Sequence, residues 1–472
     1  MGKYKTLANN TIIMAIGSFA SKAMMFFLLP IFTTYLLTDE YGLADILYSS
    51  IDLLFPLLSI CIIEAVFRFT MDDSIDKELI LSMGLRIVAI SNIIMIALLP
   101  ILLVFKFKAD LIIAYAVFFM GFSLSSLFSN FIRGINKIII FVIGGVATAS
   151  LLVLFSFIFL KVIPLGLTGY ILAYGLAYLF TAVLLFLLAR LWKYLTFRYS
   201  KDLLKEMLRY SIYLIPNSIS WFLVNISNRY IILGLCGASL AGIYAVATKL
   251  PSLINVASTI FQQAWQISAV KEYQSKDNEE YQSKVLKFYN TGMIIVASVV
   301  LLLNPYLSKF FLKNEFYEGW YNSGLLIIAS YLGSVGFFFG TVYQVIKRNK
   351  MGMVSTLIGG VITLLFTFIL VKFIGITGAA YASVIGYLVI TIIRMIDTKK
   401  YINIRYNPFI MILEFLIILV QAVAWLYLNF NIALIINAVC LAILLIMNIR
   451  YICTILNTLI KKFIKKDNKE KI

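Results

Sequence analysis

Apolar stretches of about 20 residues follow one another along the chain, parted by short polar segments, and each is long enough to cross a hydrocarbon core roughly 30 Å thick. About fourteen can be told apart by that length criterion. Their limits are 9–36, 44–68, 79–104, 111–132, 138–160, 166–190, 210–235, 240–268, 286–304, 320–346, 351–373, 376–397, 408–429 and 431–453. The expected fold is an all-α polytopic membrane protein. The first stretch follows only Met1-Gly-Lys-Tyr-Lys, carries Lys22 in its middle and lacks a small-residue cleavage site after it, so it is expected to be a retained helix, not a signal peptide.

Composition agrees with the spacing. Of 472 residues 62% are hydrophobic and 13% charged, a balance outside the range of soluble domains. Cys61, Cys236, Cys440 and Cys453 lie in or beside spans without ligand spacing, so neither a disulfide framework nor a metal site is expected. The net charge of +18 is mostly topology. With a cytoplasmic N-terminus, thirty of the 40 basic residues fall in cytoplasmic segments and six in the opposite loops. That asymmetry places both termini in the cytoplasm and makes the span number even. No nucleic-acid partner is needed to explain the charge, and the tail Lys461-Lys-Phe-Ile-Lys-Lys suits anionic lipid headgroups. The chain has no histidine, the commonest proton switch near neutral pH. It also lacks a GxxxxGK[ST] loop, so nucleotide hydrolysis is not expected and no cofactor is implied.

Internal repetition sets the domain plan. Gly166-Leu-Thr-Gly169 returns as Gly375-Ile-Thr-Gly378, with Tyr178-Leu179 and Tyr387-Leu388 at the same spacing. Asn136-Lys137 followed by Gly144-Gly-Val146 answers Asn349-Lys350 followed by Gly359-Gly-Val361, with a slip of two residues. Tyr41-Gly42-Leu43 and Ala241-Gly242-Ile243 each open the second span of their half. Three collinear matches define a unit of six spans, and an even unit gives halves of parallel topology. The expected lobes are 1–200 and 201–400, joined by the basic segment Arg190 to Arg209, with two extra spans and a basic tail over 401–472. Transporters of this plan hold substrate near the midplane at the repeat interface and alternate access by rocking.

At this point the residues resemble a known family. Pro30-Ile-Phe-Thr-Thr-Tyr-Leu-Leu-Thr-Asp-Glu-Tyr-Gly42, Asn228-Arg229-Tyr-Ile-Ile-Leu233, Ala241-Gly-Ile-Tyr244, Lys249-Leu-Pro251 and Gln263-Ala-Trp-Gln-Ile-Ser-Ala269 are similar to the bacterial polysaccharide transport proteins. These are the Wzx-type oligosaccharide flippases of the multidrug/oligosaccharidyl-lipid/polysaccharide (MATE-like) superfamily. The resemblance implies a V-shaped bundle of two six-helix lobes in a bacterial cytoplasmic membrane. It implies transport of undecaprenyl-diphosphate-linked oligosaccharide between leaflets for surface polysaccharide synthesis, alongside a polysaccharide polymerase and glycosyltransferases.

Such a substrate carries phosphate charge and a hydroxylated head, so fixed positive charge in a wet cavity is the feature to look for. Lys22, Arg86, Arg229 and Lys249 are stranded in spans, where a charge is costly and faces a partner, a cavity or a ligand. Lys249 has no acid at its depth in its own or the preceding span and leads the diphosphate-binding candidates, with Lys22 and Arg229 beside it. Lys22 stands equally as the partner of Asp52, which is a candidate charge partner or coupling-ion site. Arg86 lies at the depth of Glu64 and Arg68 and reads as structural. Thr11, Ser18 and Lys22 share one helix face, as do Ser218, Asn225 and Arg229 at the same spacing. The gapless register through Gly42 and Gly242 pairs Lys22 with Phe222, so these cations need not be symmetry mates.

Amides beside aromatic faces suit sugar. Asn217, Trp221 and Asn225 recur every four residues, and Gln262, Trp265 and Gln266 cluster in the eighth span. Ordinary helix packing is the alternative, since amides also link helices in membranes. The acids Asp52, Glu64 and Glu414 are open to binding a coupling cation or to balancing charge, with charge balance favoured for Glu64. Three rivals remain: a lipid II-type flippase, a multidrug or cation antiporter of the same superfamily, and a membrane-embedded polymerase or ligase. The antiporter would have a cavity dominated by acids. The enzyme would carry a large outer loop, and the longest here, Asn304 to Trp320, is short, so enzyme activity is not expected.

Overall fold

The computed structural model describes residue 24 and residues 26–72, 74–104, 106–272, 277–346 and 350–451. Most of the first expected span, with Lys22, lies outside the described residues, as do Asn349 and the basic tail from Lys461. Helices account for nearly everything described and no strand occurs among those residues. In order these are α1 (Phe26–Tyr35), α2 (Thr38–Leu58), α3 (Ile62–Thr70), α4 (Lys77–Leu98), α5 (Ile101–Val104), α6 (Ala109–Gly134), α7 (Ile138–Ser156), α8 (Gly166–Leu188) and α9 (Lys201–Ile212). They continue with α10 (Ile215–Asn225), α11 (Ser227–Cys236), α12 (Ala238–Ala247), α13 (Ser252–Glu272), α14 (Asn278–Phe311) and α15 (Trp320–Val345). The last are α16 (Lys350–Ile374), α17 (Ile376–Thr398), α18 (Pro408–Tyr427) and α19 (Phe430–Met447).

By length and composition 11 of the described helices can cross a membrane, or 13 if each of two bent pairs counts as one span, against the fourteen expected. The first expected span, mostly outside the described residues, accounts for the one by which 13 falls short; three of the others are interrupted. The second expected span is two helices, because Ile60 and Cys61 take left-handed backbone (φ 54° and 51°) between α2 and α3. The seventh bends by 47° at Ile226, between α10 and α11. The eighth leaves helical form over 248–251, where Pro251 has no N–H for the carbonyl one turn back. Helix starts follow cap chemistry. Asp76 accepts from the Glu78 N–H, Ser200 from Leu203, and Asn407 from Phe409 and Ile410 ahead of Pro408.

Two compact units emerge. One comprises residues through Val246 plus Phe310–Tyr317; the other comprises Ala247–Lys309 and the chain from Glu318 onward. The core of the first is aromatic, with Tyr48 and Tyr174 rings 4.9 Å apart and Phe32 and Tyr170 rings 4.7 Å apart between α1, α2 and α8. Tilted and edge-on rings at these separations add to the burial of their faces. In the second unit Trp425 is buried and its indole N–H donates to the Leu301 carbonyl at 2.9 Å. Gln421 and Asn437 trade side-chain N–H bonds to each other's backbone carbonyl at 2.9 and 3.1 Å, joining α18 to α19.

The glycines matched in the sequence have similar local geometry. Gly166 and Gly375 both have positive φ, +55° and +59°, at the first residue of α8 and just before α17. Three residues on, a Cβ on Gly169 would lie 2.5 Å from the Phe159 carbonyl oxygen, and one on Gly378 would lie 2.6 Å from that of Leu370. Both glycines thus let a helix start fold against the end of the preceding one. Gly42 and Gly242 go further, for they pack on each other. A Cβ on Gly42 would overlap the Ala238 carbonyl and one on Gly242 the Thr38 carbonyl, so α2 and α12 cross backbone on backbone. Thr38 and Ser239 hydroxyls bond at 2.8 Å beside that crossing.

Candidate functional site

In the first unit α2 and α10 enclose a cavity of about 290 Å³. Asp52 and Pro56 line it from α2, and Asn217, Ser218, Trp221 and Asn225 line it from α10. The wall follows from local chemistry. Pro56 has no N–H to give the Asp52 carbonyl one turn back, and the Asp52 carboxylate beside it is exposed. On α10 the three expected sugar contacts do share one exposed face, spanning about 12 Å at 1.5 Å per residue. Trp221 is 48% exposed, an aromatic plane open to the cavity. The Asn225 amide donates to the Trp221 carbonyl at 2.9 Å, which holds it beside the ring. A carboxylate, two amides and an aromatic face are the polar and planar groups that recognise a hydroxylated ring.

Arg229 does not line this cavity. Past the bend at Ile226 its guanidinium pairs with Asp45 at 2.8 Å, with the two side chains 15% and 2% exposed. The carboxylate lies on α2 seven residues before Asp52, two turns along the same face. Next to Arg229, Asn228 donates to the Tyr244 hydroxyl at 3.1 Å and Tyr230 donates to the Ile46 carbonyl at 3.3 Å, so α11 is stitched to α2 and α12. Hydropathy reading missed Asp45 by starting the span at 44, which left it at the margin. With α2 starting at Thr38, it sits about 10 Å into the helix.

The remaining site candidates belong to the second unit. Lys249 lies in the break between α12 and α13, half-buried, with its carbonyl accepting the Ser252 N–H at 3.1 Å. Gln262 donates to the Ser258 hydroxyl at 2.6 Å, which bonds to the Tyr289 hydroxyl at 2.7 Å. Gln266 bonds to Gln344 at 3.2 Å. Trp265 is 4% exposed and stacks on Phe338 at 4.9 Å, so the structure gives it core neighbours.

Arg86 donates to the Phe197 and Arg198 carbonyls at 2.8 and 3.3 Å, tying α4 to the segment that precedes α9. Backbone carbonyls, not an acid, thus take its hydrogen bonds. Arg394 is a further cation on an apolar helix, near the end of α17. Its guanidinium donates to the Gly336 carbonyl at 3.0 Å, the Ser355 hydroxyl at 3.0 Å and the Thr356 hydroxyl at 2.9 Å, joining α15, α16 and α17. Among the described residues no group of three or more metal-ligating side chains occurs.

Comparison with known proteins follows from this geometry. A family described as "Polysaccharide biosynthesis protein" matches residues 7–266, more than half of the chain. No curated protein matches. Among solved structures, the lipid II flippase MurJ in an inward closed conformation aligns with TM-score 0.68 at 14% identity, over 94% of this chain and all of that one. An inward-facing multidrug resistance MATE family transporter of the MOP superfamily aligns with TM-score 0.66 at 17% identity, over 82% and 98%. A MOP superfamily transporter from Pyrococcus furiosus, described as having a binding pocket of reversed polarity, gives 0.56 at 19%, over 84% and 96%. These likenesses establish a shared fold.

Proposed function

Because the chain belongs to the polysaccharide biosynthesis protein family, we propose that it is a flippase that carries a lipid-linked oligosaccharide, joined through a diphosphate to undecaprenol, between the leaflets of a bacterial cytoplasmic membrane. The observation that carries this reading is the cavity wall of Asn217, Trp221 and Asn225 facing Asp52, a surface suited to a sugar ring. Arg229, on α11 beside α2, supplies positive charge in the proposal, and Lys249 and Lys22 are the other diphosphate ligands. Arginine grips phosphate through two parallel N–H bonds whereas lysine acts as a point charge, so Arg229 sets geometry and the lysines set attraction. The sequence lobes 1–200 and 201–400 are the moving parts in this scheme, with alternating access between them. The protein is then a transporter, without chemistry of its own.

The test is a leaflet-accessibility assay on lipid-linked oligosaccharide in vesicles. Lys22→Ala combined with Lys249→Ala should leave the substrate in the inner leaflet at unchanged protein level, and normal translocation would refute the diphosphate assignment. Trp221→Ala should weaken substrate affinity by about tenfold, the worth of one aromatic contact near the upper end of its range. One observation favours a second reading: Asp52 is the charged residue in the described cavity lining, which would suit a cationic solute and an antiporter. Efflux of a cationic dye, stopped by Asp52→Asn and indifferent to the oligosaccharide, would select that reading.

A further inference from the structure

Glu414 sits on α18 six residues beyond Pro408, about 9 Å into an apolar helix, and is 2% exposed. Its two oxygens accept from amides on either side, the Asn290 side chain at 2.7 Å and the Asn448 side chain at 2.8 Å. Each amide oxygen in turn accepts a hydroxyl: Tyr331 donates to Asn290 at 2.7 Å and Thr291 to Asn448 at 2.7 Å. All four partners are themselves more than nine-tenths buried, on α14, α15 and the end of α19. Among the described residues no cation pairs with Glu414. Lys287 on α14 and Arg450 beyond α19 lie on exposed faces, and the titratable group facing the carboxyl from α15 is Tyr331.

A carboxylate buried without a counter-charge is costly in a membrane-spanning segment, and taking up a proton removes that cost. The surrounding groups suit the exchange. An amide offers a donor on one side and an acceptor on the other, and a hydroxyl is both. With the carboxyl ionised, both amides point N–H at it, as seen. When a proton from the aqueous phase adds to the oxygen facing Asn290, that amide turns over. Its oxygen then accepts the new O–H and its N–H₂ donates to the Tyr331 hydroxyl. One O–H bond forms and no other covalent bond changes. A lysine or arginine in place of either amide could not reverse in this way.

We propose that Glu414 is a reversible proton-binding site in the membrane-spanning region, framed by Asn290, Asn448, Tyr331 and Thr291, and that the rate of transport follows its occupancy. Glu414 and Asn448 lie on the two helices outside the expected six-span repeat, and the site is independent of the sugar and diphosphate assignments, so it supplies an energy-coupling position that the proposed flippase reading leaves open.

Infrared difference spectra of the full chain in lipid nanodiscs, titrated across the neutral range, test it without any substrate. The wild type should gain a protonated-carboxyl carbonyl band on acidification. Glu414→Gln, which keeps the shape and one donor, should abolish the band, and the pH dependence of translocation should become flat. Tyr331→Phe should keep the band and shift its midpoint by a roughly threefold change in proton affinity, about half a pH unit. If Glu414→Gln does not accumulate, that midpoint shift decides. The absence of any titrating band in the wild type, the same band in Glu414→Gln, an unmoved midpoint in Tyr331→Phe, or a response to sodium at fixed pH in place of protons would each overturn the proposal.

Discussion

Asp45 and Arg229 form an ion pair at 2.8 Å, with 2% and 15% of each side chain exposed. For such a pair, loss of one partner leaves an uncompensated charge, at about 3–5 kcal/mol, whereas replacing both by apolar residues of similar volume is often neutral. Asp45→Ala should therefore lower the unfolding midpoint sharply, and Asp45→Leu with Arg229→Met should recover it. Thermal unfolding of the purified variants checks this. The double variant also separates stability from function: restored folding without translocation supports Arg229 as a phosphate ligand, and restored folding with full translocation makes it a brace. Little of this pair was legible in the sequence. Arg229 stood out as a cation in an apolar run, but Asp45 lies 184 positions earlier, and hydropathy does not say which helix faces meet. The i, i+4, i+8 pattern of Asn217, Trp221 and Asn225 did survive, because periodicity along one straight helix is a local property.

At the scale of elements, the glycine matches from which the repeat is expected mark close helix approaches. A glycine-to-alanine change in a helix normally stabilises by about 1 kcal/mol. At Gly42 or Gly242 the new methyl would strike a backbone carbonyl that cannot rotate away, and overpacking of this kind costs about 1–3 kcal/mol. Gly42→Ala and Gly242→Ala should each reduce folded protein, while Gly234→Ala and Gly292→Ala, with nothing within 4 Å of the added Cβ, should be neutral or stabilising. Fluorescence-detected size exclusion on the four variants measures the contrast, and equal yields would refute the backbone crossing. The bends were harder to foresee than the helices. Pro251 announces a break, but the left-handed Ile60 and Cys61 are unfavoured by their own side chains and depend on surrounding packing.

For the whole molecule, the distribution of lysine and arginine sets the orientation in the membrane. Both termini should face the cytoplasm. A fluorescent protein fused after Ile472 should fold and emit, and an alkaline phosphatase fused after Phe107, between α5 and α6, should be active outside. The reverse pattern would invert the assignment of inner and outer ends. Membrane spanning and helical class were both present in the sequence, since each depends on the length and order of apolar segments, and solvent imposes these on any chain in a bilayer. Partnership was not. That Asp52 shares a cavity with α10, that Asp45 holds Arg229, that Trp265 is stacked in a core and that Glu414 is held by amides from two other segments were decided by tertiary structure. The physical reason is that apolar length fixes only depth in the membrane, while polar pairing depends on the rotation of each helix about its own axis. That rotation is settled by packing between segments far apart in the chain.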